Sequence, residues 1–426
     1  ELPAVDGALA GRYRGGIASL DTARLEIGGG TVTVSGDVGQ TLDAVLTLTD
    51  IPVSIANGFV SDLGASGMLS GRAEATGDLD NPIVVFDLDG RDISAERVAA
   101  AGTGSMTIDL SGRLANYTVR LSQAVADIGS GSVRATGSVG RDLDLDLDID
   151  RLPVALANAF VPGLDATGDV SGTARATGTL ARPQATFQLA GGNLAAAPLR
   201  QSGVDTVALD IAGAYRNDAL TLERGDIRAG GGTLNVSGTV GDTLDLQLAM
   251  QQLPLALANA ASPTLGAQGT LSGTARATGS LAAPAATFDI NGANISVAAS
   301  RAAGAPSASL VAAGDFRDET VALRTARIDL SGGGSIVATG SAGRRLNLDV
   351  TLSDVPASIA AAAAPDVAPQ GTIGGNIQAR GTIANPDVTY DMRVGGLSLA
   401  QTREAGVGPL DVAARGTYAQ NRVTLD

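Results

Sequence analysis

Cysteine, histidine, lysine and tryptophan are all absent from this 426-residue chain, so every one of its 29 basic residues is arginine. Without Cys and His there is no thiolate nucleophile and no imidazole base, and the two commonest transition-metal ligands are missing. Without Lys there is no Schiff-base chemistry, and no G-x-S-x-G elbow marks a serine nucleophile. These gaps argue against an enzyme, and no cofactor is expected. A formal net charge of −15 argues against nucleic acid or an anionic bilayer surface as the main partner. The absence of Cys fits an oxidising compartment. No apolar run approaches the roughly 20 residues of a membrane-spanning helix; the longest lie at 152–161 and 359–364. Aromatic residues are only 3% of the chain, so an apolar surface here is made of Leu, Val, Ile and Ala.

What the chain does contain is a long repeat. Pro52, Pro153, Pro254 and Pro356 open equivalent segments at spacings of 101, 101 and 102 residues, and Pro82, Pro183, Pro284 and Pro386 keep the same beat. Such phase means one structural module stacked on the next. The expected organisation is one continuous array: a partial unit at 1–50, units at 51–151, 152–252 and 253–354, and a partial unit at 355–426. Both ends fall in mid-repeat, so the array is expected to be a piece of a longer protein.

Within a unit the pattern is mostly strand. In Asp142–Asp150, Leu143, Leu145, Leu147 and Ile149 alternate strictly with five aspartates, which puts the aliphatic side chains on one face and the carboxylates on the other. The same phase runs through Leu42, Ala44, Leu46 and Leu48, through Leu244, Leu246 and Leu248, and through Leu346, Leu348, Val350 and Leu352. Further strands are expected at about 67–77, 83–89, 92–98, 103–110, 114–121 and 131–139, which makes six or seven per period and roughly 28 in all. Phe86, Phe187, Phe288 and Tyr390 are equivalent positions, each followed two residues on by Leu88, Leu189, Ile290 or Met392. They are expected to anchor the apolar face. The segment 152–162 lacks alternation and begins with Pro near a first helical position, so one short helix of two to three turns per repeat is expected. The fold class is therefore all-β with one short helix per repeat.

Glycine recurs at Gly71, Gly77 and Pro82, and again at Gly172, Gly178 and Pro183, at Gly273, Gly279 and Pro284, and at Gly375, Gly381 and Pro386. Two glycines six apart followed by a proline five further on, recurring along a β-rich chain, resembles the repeat of the TamB proteins, AsmA-like members of Gram-negative envelopes. The resemblance covers nearly the whole chain, although each copy of the motif is short. It implies an elongated, curved sheet folded like a taco around a hydrophobic groove in the periplasm. It also implies transport of phospholipid between the two membranes, in support of outer-membrane biogenesis. A TamA-like outer-membrane barrel and an inner-membrane anchor would be reached through regions outside this sequence. The residues expected to line the groove and meet acyl chains are Leu42, Leu46, Leu48, Phe86, Leu88, Leu143, Leu145, Leu147, Ile149, Phe187, Leu189, Leu244, Leu246, Leu248, Phe288, Ile290, Leu346, Leu348, Val350, Leu352, Tyr390 and Met392.

Strict alternation also describes a closed β-solenoid with a dry core, and a secreted or surface adhesin is the alternative class. Coils of that class usually repeat every 20 to 30 residues or so. The aspartates of 142–150 diverge along a strand instead of closing around an ion, so a metal site is not expected. The Gly clusters at 28–30, 230–232 and 332–334 read as turns or bulges. Arg175 and Arg276 occupy the place of Glu74 and Gln378, a position that accepts either sign and reads as a solvated face.

Overall fold

The alternating stretches become strands because period two is the only geometry that separates their leucines from their aspartates. In the computed structural model, which describes residues 5–58, 64–100, 102–302, 304–362, 368–420 and 422–425, strand accounts for 71% and helix for 11%. Twenty-six strands are described. The chain divides into two compact units, Glu1–Ala197 with Ala208–Asp218, and Pro198–Val207 with Ala219–Asp426.

In the first unit, strands from Val5–Arg14 to Arg182–Ala195 each pair antiparallel with the next in sequence, and Val207–Arg216 is the last strand. In the second, the same simple meander runs from Ala219–Ala229 to Arg422–Leu425. Neither is closed into a barrel. The period is visible in the strand starts: Ser66, Thr167, Gln268 and Gln370 open equivalent strands.

One repeat comprises six strands: Ser66–Asp78, Asn81–Ser94, Met106–Ala115, Thr118–Ile128, Gly131–Val139 and Asp142–Pro153. The separate strand expected at 92–98 does not form. Its first residues extend Asn81–Ser94 through Asp92, which sits at φ 52, and Glu96–Ala100 is one turn of α-helix. The strands expected at 103–110 and 114–121 lie further along, at Met106–Ala115 and Thr118–Ile128. Asn116 and Tyr117 take φ of 50 and 57 and make the hairpin turn there.

The proline-opened segments are helical, but as tight six-residue 3-10 turns: Val53–Gly58, Val154–Ala159, Leu255–Ala260 and Ala357–Ala362. Phe59, Val60, Ala363 and Ala364, which end two of these segments, lie outside the described residues. Each repeat also carries an α-turn that the pattern did not announce, at Glu96–Ala100, Ala197–Ser202, Ala298–Ala302 and Ala400–Glu404. In a meander, alternate connections fall on opposite edges, so both helical kinds share one edge with the glycine-cluster turns, and the other edge carries tight turns alone. Glu96–Ala100 packs on Val154–Ala159, and Ala298–Ala302 on Ala357–Ala362.

An asparagine pins three of the four crossings. Asn158 donates to the Ala166 carbonyl at 3.2 Å and accepts from the Ala166 N–H at 2.7 Å, and Asn57 and Asn259 hold Ala65 and Ala267 in the same way. A bulge precedes each crossing, where Asp50, Arg151, Gln252 and Asp354 have φ between 46 and 50. In three of them the freed N–H donates to a serine hydroxyl, Ser70, Ser171 or Ser272. The glycine clusters are turns: Gly28 and Gly29, Gly230 and Gly231, and Gly333 and Gly334 all have positive φ.

Candidate functional site: an uncovered apolar face

Residues opposite one another in an antiparallel pair project from the same face, so the register traces which side chains lie together. In the first unit, Val34, Leu46, Ala73, Phe86, Gly112, Leu121, Gly137, Leu145 and Ala176 follow one another across nine strands. The next row holds Leu48, Gly71, Leu88, Leu110, Ala124, Ala135, Leu147, Ala174 and Phe187. Leu42 faces Gly77, Leu143 faces Gly178, and Ile149 and Leu189 meet at Gly172. No polar side chain enters these rows.

The second unit repeats the arrangement. Val236, Leu248, Ala275, Phe288, Gly314, Leu323, Gly340, Leu348, Ala379, Val388, Tyr418 and Val423 form one row across twelve strands. At one interstrand spacing per step this is about 50 Å of apolar track. Leu246 faces Ala277, Leu244 faces Gly279, and Ile290 faces Gly273. Val350, Ile377 and Tyr390 are neighbours, Leu352 and Met392 meet at Gly375, and Leu346 faces Gly381. Every residue expected to line the groove is therefore on the apolar face of its unit.

Large and small residues alternate across the strands. Ala73, Ala174 and Ala275, on the strands that open at Ser66, Thr167 and Gln268, each lie between a leucine and a phenylalanine, and on the strand that opens at Gln370 the same place is held by Ile377, between Val350 and Tyr390. The aromatics do not share one row. Following the register from Phe86 leads to Ala185, two residues short of Phe187, and following it from Phe288 leads to Val388, two short of Tyr390. Bulges such as those between Leu121 and Ala124 and between Leu323 and Ala326 supply the offset.

This face is not the inside of a packed core. Each expected lining residue is half-buried, and among the described residues no large side chain is fully buried. The buried apolar residues are mainly alanines, with Leu194 the only leucine. The accessible surface is 24166 Å². Two separate compact bodies of half the mass would expose about 18,000 Å² between them. The sheet is not closed into a barrel, and the rows along this face keep partial access to solvent.

The other face is charged and wet. Arg175 reaches Asp144 at 2.6 Å and Asp146 at 2.8 Å, Arg276 reaches Asp245 at 3.0 Å, and Arg380 reaches Asp349 at 2.8 Å, all with side chains at least 40% exposed. Exposed pairs of this kind contribute about 0–1 kcal/mol each. Asp89 and Asp109 face each other on this side, and the Asp109 carboxyl is held above its ordinary range, chiefly by its hydrogen bond with Asp89. Partial desolvation and the charges of Asp89, Asp127 and Asp87 push the same way. Among the described residues, no group of three or more carboxylates is arranged to hold a metal ion. A depression of about 560 Å³ in the second unit is lined by Arg224, Arg276 and Arg324 beside Glu223, Asp226 and Asp289, whose charges cancel. No described helix is long and apolar enough to cross a membrane.

No protein-family profile, curated protein or solved structure matches the chain.

Proposed function

We propose that the chain is a non-enzymatic lipid carrier of a Gram-negative envelope, related to the TamB proteins. In this reading its apolar face holds phospholipid acyl chains in the periplasm during transfer between the inner and outer membranes. The observation that carries the reading is the combination of unbroken aliphatic rows with an open sheet whose leucines are only partly buried. A surface that water wets poorly and that keeps partial access to solvent is suited to a mobile apolar ligand. Leu, Val, Ile and Ala are chemically close to an alkyl chain, and the charged opposite face keeps the protein in solution. Contacts with a TamA-like barrel and with the inner membrane belong, in the same reading, to regions beyond this sequence. The rival is a surface repeat with a closed core that binds a glycan or protein, and the unclosed sheet favours the lipid reading over it. Mass spectrometry of an organic extract of the purified protein separates the two. Co-purifying phospholipid in near-stoichiometric amount is expected, and a lipid-free extract from protein isolated without detergent overturns the proposal.

A further inference from the structure

Hairpin turns are normally capped by Gly, Asn, Asp or Ser, whose small or polar side chains suit the geometry and the solvent. One turn in each repeat breaks this rule. Leu79, Leu180, Leu281 and Ile383 stand at the tip of the hairpin on the edge opposite the helical crossings, and they are 53%, 67%, 68% and 70% exposed. They recur at 101, 101 and 102 residues, two in each unit. Neighbouring turns on the same edge, such as Gly39–Gln40, Gly140–Arg141 and Gly241–Asp242, carry no large aliphatic.

Their parity shows which way they belong. On the strand Ser66–Asp78 the apolar-face positions are Gly71, Ala73, Ala75 and Gly77, and Leu79 is the next in that series. Its N–H pairs with the Gln40 carbonyl at 2.9 Å, which ties this first turn residue to the neighbouring turn on the same edge. Leu180 follows Gly178, Leu281 follows Gly279 and Ile383 follows Gly381 in the same phase. The exposed side chains thus follow the apolar series at the end of its strand and stand at the rim of the sheet.

We propose that Leu79, Leu180, Leu281 and Ile383 form the entry lip at which an alkyl chain crosses between water and the apolar face. The inference rests on the lipid-carrier reading and assigns a step within it. An amphiphile arriving over a wholly polar rim must strip its tail of water before it meets any apolar partner. An aliphatic side chain at the rim provides that first contact, continuous with the rows beyond it. Such a lip lowers the barrier in both directions and leaves the bound state nearly unchanged.

The experiment is stopped-flow loading of a fluorophore-labelled sixteen-carbon fatty acid, comparing the native protein with the quadruple variant Leu79→Ser, Leu180→Ser, Leu281→Ser and Ile383→Ser. The variant is expected to load and release about tenfold more slowly, while the amount bound at equilibrium changes less than twofold. Leu246→Asp, inside the face, is expected to reduce the amount bound instead. The pair Leu180→Ser with Leu281→Ser gives intermediate slowing and serves if the quadruple variant folds poorly. Native protein that loads, with variants of unchanged rate, overturns the lip alone. Native protein that takes up no fatty acid overturns both the lip and the reading beneath it. A variant that loads at the native rate but sediments as a smaller species assigns these side chains to contact between copies of the chain, and that also overturns the lip.

Discussion

Phe288 lies across Gly314: the two face each other in register on neighbouring strands, and a Cβ added at Gly314 would come within 2.9 Å of Phe288 Cζ. Phe86 stands in the same relation to Gly112, at the same distance, and the Tyr390 hydroxyl to Gly416 at 2.8 Å. The ring occupies the space a side chain would need, so these three aromatics roof over bare backbone on the apolar face. Added methylenes at such a site cost about 1–3 kcal/mol. Gly314→Ala is therefore expected to lower the urea midpoint, and Phe288→Ala is expected not to rescue it. The new Cβ also meets the backbone oxygen of Ala322, which no side-chain change can move. Full rescue in the double variant would show that the ring alone excludes the side chain.

Leu246 and Asp245 are adjacent in sequence and lie on opposite faces. Leu246→Asp places a charge in the aliphatic row facing Ala277, and is expected to remove most of any co-purifying lipid while lowering stability by about 1.5–3 kcal/mol. Asp245→Asn, on the wet face beside Arg276, is expected to change lipid content little and stability by less than about 1 kcal/mol. Lipid content by mass spectrometry and urea denaturation together check the pair of outcomes. Equal effects from both substitutions would argue against an apolar face that acts alone.

The facing carboxyls of Asp89 and Asp109 make stability depend on pH in a defined direction. Because the native state holds the Asp109 proton more tightly than the unfolded chain does, native stability falls as pH rises through the raised value. It is recovered below the ordinary carboxylate value of about 3.9. Asp109→Asn is expected to raise the urea midpoint at pH 7. The gain should shrink to nothing near pH 3 and narrow in high salt. A gain that grows on acidification would contradict the assigned cause.

Asn158 satisfies both backbone groups of Ala166, a residue only 7% exposed. Removing it strands a buried N–H and a carbonyl, so Asn158→Ala is expected to cost about 1–3 kcal/mol. Asn158→Asp should not restore the loss, since a carboxylate accepts from the Ala166 N–H but repels its carbonyl oxygen. Denaturation curves of the three proteins test this, and a stable Asn158→Ala variant would show that water takes over both bonds. The last repeat has Ala361 at the equivalent position and no such clasp.

Much of the fold was legible because alternation is a local property. Leu143, Leu145, Leu147 and Ile149 occupy one face by the geometry of extended backbone, and their partners across the sheet agree. The short α-turns were not legible. APLRQS at Ala197–Ser202 is one turn long, too short for any helical period to register, and its conformation depends on its position at the sheet edge. Lining residues such as Leu121 and Leu323 escaped notice because a bulge two residues on breaks their alternation.

The sequence by itself determined the 101-residue period and the face on which each strand residue lies, because both follow from chain geometry and residue polarity. Only the tertiary structure decided that the aromatics step by one pleat from one repeat to the next within a unit and that the sheet is left unclosed. Those properties depend on which carbonyl each N–H meets across a bulge and on whether the sheet closes on itself, and neither is encoded in the alternation of neighbouring side chains.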